Sequence, residues 1–260
     1  MSLPHSKRDT FSIFKQIALS IGALAVILFF ATCALHFDKS KGYFELAILP
    51  VISYVLLALS AVTAFSAFFI FRKESEAPVA SSAISTVFSL LPGIAALPTA
   101  FNIISAEGDR LLIILSILAL SPIFFNKSPR LPIALKLSAG FLQAIFIIIS
   151  IAHMYFDMSV ELNNPVKLFL MLASAAVLLS TLGDLRLHLG RCSRGYHVGS
   201  KLLASVFCLC GSMIGFFAKG AQIERFSSLH FSLSIFFAAY AIYAVYDLIA
   251  TSINLGNSSI

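Results

Sequence analysis

Asp184 and His188 stand four residues apart in an apolar run, so on a helix they share one face. Asp247 lies near the end of another apolar run, with Tyr243 one turn before it and Tyr240 and Tyr246 close by. Ionisable side chains are costly in hydrocarbon, and where they occur there they are candidates for proton or ion coupling. The competing expectation is structural. Both acids fall a turn or two from a membrane face, where Arg186, Arg191, Arg194 or Lys201 can pair with them. Such pairs would tie the last three apolar runs together.

Gln143 is the most central strong polar side chain, near the middle of its run. An amide in hydrocarbon needs partners, so it is expected to face other helices, in an interhelical hydrogen bond or against a substrate. Pro92 and Pro98 interrupt one run, in Leu91-Pro92-Gly93 and Leu97-Pro98. Each frees a backbone carbonyl at membrane depth, which is tolerated against protein or a water-filled cavity. The third run is therefore expected to be a broken helix, and a polar cavity is expected near Gln143, Pro92 and Pro98. Gly211-x-x-x-Gly215 has the spacing for close helix contact.

Other chemistries find little support. His153 and Asp157 are two ligands four apart, too few for a metal site, and no HExxH or Cys/His cluster occurs. No Walker motif, GxSxG or dinucleotide fingerprint is present. No catalytic residue, cofactor or metal is therefore expected. Cys33, Cys208 and Cys210 sit in apolar runs as small hydrophobes, and Cys192 sits in a basic loop expected to face a reducing compartment.

The elements that must position these residues are plain in the composition. Of 260 residues, 59% are hydrophobic and only 12% charged. A soluble domain carries about 25% charged residues. Eight runs approach the roughly 20 apolar residues that a spanning helix needs. They are Phe14–Leu35, Leu46–Phe71, Ala83–Ser105, Leu111–Phe125, Pro132–Met154, Val166–Leu187, Leu202–Ala218 and His230–Ile253. The fourth is short and ends at a proline. The first is longer than the apolar core of a cleaved signal peptide and is read as a retained span.

The net charge of +6 does not imply nucleic acid, because the charges follow the positive-inside bias instead. With the N-terminus in the cytosol, twelve of the 18 Lys and Arg fall on the cytosolic side. Both termini are then inside, in a cell or bacterial inner membrane. The expected partner is the lipid bilayer, with a protein partner or a second copy as a further possibility.

The phrase ELAILPVISYVLLALSAV, from Glu45, is echoed by ELNNPVKLFLMLASAAV, from Glu161. Neighbouring runs agree at a similar offset. Leu19, Ser20 and Gly22 match Leu137, Ser138 and Gly140, and Leu91 and Gly93 match Leu209 and Gly211. The expected fold is an all-α polytopic bundle of about eight helices, built as two tandem four-helix halves, 1–128 and 129–260, in parallel orientation. Pro50 and Pro165 are then expected at helix starts, where a missing N–H costs nothing.

The leading functional expectation is a small-molecule or ion transporter or its membrane subunit, and not an enzyme. A non-catalytic membrane scaffold is the first alternative. An intramembrane lipid-modifying enzyme is the second, and it requires Asp184 and Asp247 to converge on one site.

Overall fold

A computed structural model of the chain describes residues 5–38, 42–72, 83–105, 121, 131–156, 164–220 and 228–257. It is all-α apart from one short hairpin. The helices are α1 (His5–His36), α2 (Ile48–Ile70), α3 (Ala83–Ser105), α4 (Ile133–Phe156), α5 (Pro165–His188), α6 (Arg194–Gly220) and α7 (Ser228–Asn257). Strands β1 (Phe37–Asp38) and β2 (Tyr43–Phe44) pair between α1 and α2, and Gly42 turns the chain with φ 73°. That hairpin is invisible to periodicity because each strand has two residues.

Six helices among the described residues are long and apolar enough to cross a bilayer, and they suggest a multi-pass membrane protein. A helix suits this environment because it satisfies its backbone polar groups internally. Leu24, Ile27 and Phe30 on α1, and Val55, Leu59 and Val62 on α2, point outward as a lipid-facing surface would. The shorter apolar stretch of α3 covers Ile84–Ala100. The fourth apolar run, Leu111–Phe125, lies almost wholly outside the described residues.

Local signals set several helix starts. The Asn164 side chain accepts a hydrogen bond from Val166 N at 2.9 Å, and Pro165 follows at the first helical position. Pro50 is the third residue of α2 and is buried. The start of α6 differs from the sequence expectation. It begins at Arg194, eight residues before Leu202, and Ser193 Oγ accepts from Tyr196 N at 3.3 Å. The polar residues His197 and Lys201, which look like loop, are thereby helical and buried.

The broken-helix expectation for the third run is corrected. Helix α3 runs unbroken through Pro92 and Pro98. Each proline removes one ladder bond, and the rest of the ladder together with packing on α7 carries the helix through.

Helix α6 is the hub, packed against α1, α2, α5 and α7. Its glycines permit this. A Cβ at Gly195 would run into the Ala67 carbonyl, one at Gly199 would lie 2.6 Å from Ala64 O, and one at Gly211 would lie 2.9 Å from Ala173 Cβ. Gly195 and Gly199, four apart, therefore let α2 approach on one side while Gly211 admits α5 on another. Helix α4 packs on α5, and α3 packs on α7. The first two runs of each half thus pair alike, α1 with α2 and α4 with α5. The second and third runs do not repeat a pattern, since α5 packs on α6 whereas α3 packs on α7.

Gly195→Ala and Gly199→Ala should each destabilise the protein by about 1–3 kcal/mol, the usual cost of overpacking. Thermal unfolding in detergent measures this. Gly220→Ala, where a Cβ meets nothing within 4 Å, is the control and should leave the midpoint unchanged.

Candidate functional site

Three helices bring ionisable side chains to one place inside the bundle. Asp184 comes from the last two turns of α5, His197 and Lys201 from the first two turns of α6, and Asp247 from α7. The short connection between α5 and α6 puts the end of one beside the start of the other. Asp184 precedes the end of α5 by four residues, about 6 Å of helix, and Lys201 follows the start of α6 by seven, about 10 Å. The cluster therefore sits near the adjoining ends of α5 and α6 and not at their middles.

Lys201 is the centre. Its Nζ donates to Asp184 Oδ2 at 2.6 Å and lies 3.8 Å from Asp247 Oδ2. Its ammonium also lies 4.3 Å from the Tyr243 ring centroid and 5.8 Å from that of Tyr240. Carboxylates and aromatic faces both favour a cation there. The Tyr243 hydroxyl donates to the same Asp184 Oδ2 at 3.1 Å. His197 Nε2 stands 3.2 Å from Asp247 Oδ2, an ion-pair distance but off the line of a good hydrogen bond. Lys15 of α1 reaches across to donate to the carbonyl of Leu248, the residue after Asp247.

Burial of this group is nearly complete, with Lys201 at 0% exposure and His197 and Asp247 at 1%. Isolated charges could not persist there, because desolvation costs several kcal/mol per ion. Mutual pairing holds them. Asp184 Oδ1 and His197 Nδ1 are among the polar atoms that find no hydrogen-bond partner among the described residues.

Of the residues singled out in the sequence, Asp184, Tyr243 and Asp247 meet in this cluster. His188 is half-buried at the last residue of α5, one turn beyond Asp184. Arg186 is exposed, with its guanidinium 4.6 Å over the Tyr196 ring. Gln143 lies elsewhere. It is buried on α4 and donates from Nε2 to Thr181 Oγ1 of α5 at 3.1 Å. Pro92 is buried and Pro98 exposed, both on α3, which packs on α7 and not on α4. Gln143 and the prolines thus lie on helices whose main packing partners differ, α5 for α4 and α7 for α3.

Sequence reasoning passes over His197, which precedes the apolar run beginning at Leu202, and Lys15. The signal for the first was His197-x-x-x-Lys201 beside Gly195-x-x-x-Gly199, two interleaved four-residue spacings of one helix. No protein-family model, curated protein or solved structure matches this chain.

Lys201→Met should cost about 3–5 kcal/mol, because it leaves buried carboxylates uncompensated. The double variant Lys201→Met with Asp184→Asn should lose less than the sum of the singles. A double-mutant cycle by thermal or denaturant unfolding in detergent checks this, and additive losses would contradict the pairing.

Proposed function

We propose that the protein is a small-molecule or ion transporter, or the membrane subunit of one, and that the Asp184–Lys201–Asp247–His197 cluster is its cation-handling site. The observation that carries this reading is the cluster itself: two acids, a lysine and a histidine on three apolar helices, buried together near the adjoining ends of α5 and α6. Stability alone does not favour such a group, since well-packed hydrophobic residues serve as well or better than a buried ion pair. Charged groups inside a membrane commonly mark ion pathways.

The reading includes the finer architecture drawn from the sequence. We read eight spans in two four-helix halves, 1–128 and 129–260, with both termini cytoplasmic in a cell or bacterial inner membrane. The positive-inside bias and the internal echo support it. On that topology the cluster lies nearer the cytoplasmic side. Association with a partner protein or a second copy is compatible with it.

A second reading has one specific observation in its favour. Asp184 and Asp247 converge on a single lysine, with His197 and Tyr243 beside them. Two carboxylates and an imidazole are groups that hydrolysis of a lipid bond can use.

Reconstitution into liposomes separates the two. Transport predicts cation flux above that of protein-free vesicles, cut at least tenfold by Asp247→Asn or Asp184→Asn. A lipid product seen by mass spectrometry, lost in the same variants and without flux, would replace the transport reading with the enzymatic one. A reporter fused after Ile260 should be active only on the cytoplasmic side, and activity outside would overturn the assigned orientation.

A further inference from the structure

We propose that Asp184, His197 and Asp247 form a binding site for a first-row divalent metal ion, and that Lys201 is a tethered cation which holds the same place when the metal is not bound. The inference rests on reading the cluster as cation-handling and names the class of cation.

The geometry comes first. One ligand atom from each of the three residues lies within 4.8 Å of the other two. Bonds of about 2.0–2.2 Å place the ligands of a tetrahedral ion about 3.4 Å apart and those of an octahedral ion up to about 4.2 Å. The His197–Asp247 separation of 3.2 Å is already of that size. The remaining contraction is at most about 1.4 Å for a tetrahedral ion and about 0.6 Å for an octahedral one, within the reach of side-chain rotation.

The donor chemistry selects the ion. One imidazole with two carboxylates suits Mn2+, Fe2+, Co2+ or Zn2+ better than Ca2+, which prefers a shell of oxygens alone. Two carboxylates balance a dication, whereas Lys201 balances only one. Asp184 also has bonding capacity to spare. It is 3% exposed, and its Oδ1 meets no hydrogen-bond partner among the described residues. The Tyr243 hydroxyl fixes the orientation of that carboxylate, as outer partners of metal ligands do.

Lys201 explains how the site persists without metal. Its Nζ contacts Asp184 and approaches Asp247, the two carboxylates that a metal would bind. The four-carbon stem is flexible and can carry the ammonium outward along α6 toward the nearer membrane face, about 10 Å away. Metal and ammonium then compete for one position. Lys15, bonded to the carbonyl of Leu248 next to Asp247, adds a second positive charge nearby, so a dication gains most when the charge of Lys201 is removed. Three protein ligands leave coordination positions open, as an exchangeable site requires and a closed structural site does not.

The test is equilibrium dialysis of the purified full-length protein in detergent against Zn2+ alone or Mn2+ alone, with bound metal counted by mass spectrometry. The expected result is one ion per chain, at least tenfold weaker in His197→Gln and Asp247→Asn, and at least tenfold tighter in Lys201→Met. No retained ion in wild type and Lys201→Met overturns the proposal. Equal retention in wild type, His197→Gln and Asp247→Asn means an adventitious ion only and also overturns it. Where Lys201→Met does not yield folded protein, wild type against His197→Gln decides. Flux of other cations with no metal bound would sink this inference and leave the transport reading. Stoichiometric binding with no flux in liposomes would do the reverse.

Discussion

A lysine ammonium with no exposure to solvent, held between two carboxylates on neighbouring helices, sets the terms for the rest of this protein. A charge buried in an apolar bundle is unstable unless it is met by opposite charge at short range. Lys201 meets Asp184 of α5 at 2.6 Å and Asp247 of α7 at 3.8 Å. For both to reach it, α6 must lie between those helices and its charged first turns must sit inside the bundle. The glycines at 195 and 199 make that possible on the other side, where α2 comes within backbone contact. The position of α6 as hub and the burial of the cluster are one arrangement seen from two directions.

Much of the fold was legible because hydrocarbon imposes a simple rule. Only long apolar runs can cross it, so the spans of α1, α2, α4, α5 and α7 stand out in the sequence. The same rule misplaced the start of α6. A window that rewards apolar residues stops at Leu202 and discards His197 and Lys201, the residues that need burial explained. Their burial depends on partners from α5 and α7, which lie 17 and about 50 residues away and leave no local trace. Asp184, Tyr243 and Asp247 stood out as ionisable or phenolic groups within apolar runs, but nothing in spacing said that they share one lysine. Pro92 and Pro98 misled for a related reason. Proline breaks a helix in water more readily than in a membrane bundle, where neighbouring bonds and packing carry the ladder past it. Asp184, His197 and Asp247 come from three helices, so no short motif announces their convergence.

The cluster is also where the stability and function of this molecule separate. The interior of the bundle elsewhere is made of Phe29, Phe169, Phe236, Ile214, Ala173 and similar side chains, with aromatic pairs such as Phe29 and Phe169 at 4.4 Å between centroids. That part needs no charge to hold together. Gln143 and Thr181 form a separate polar contact that links α4 to α5, of the kind membrane helices use for cohesion. The acids, His197 and Lys201 are different in character. They gather five ionisable or phenolic groups, Tyr243 included, at one depth and near one face, in a place where apolar packing would be the simpler solution. On the proposed reading, a cation that can leave and be replaced gives that concentration of charge a purpose.

The whole account turns on the Lys201–Asp184 contact existing in a lipid bilayer. Solid-state NMR on reconstituted protein, with the Lys201 side-chain nitrogen and the Asp184 carboxyl carbon isotopically labelled, measures the dipolar coupling between them directly. The expected result is strong dephasing corresponding to an ammonium in hydrogen-bond contact with the carboxylate. Absence of coupling, with the protein folded and helical in the same sample, would place the two groups apart and contradict the account.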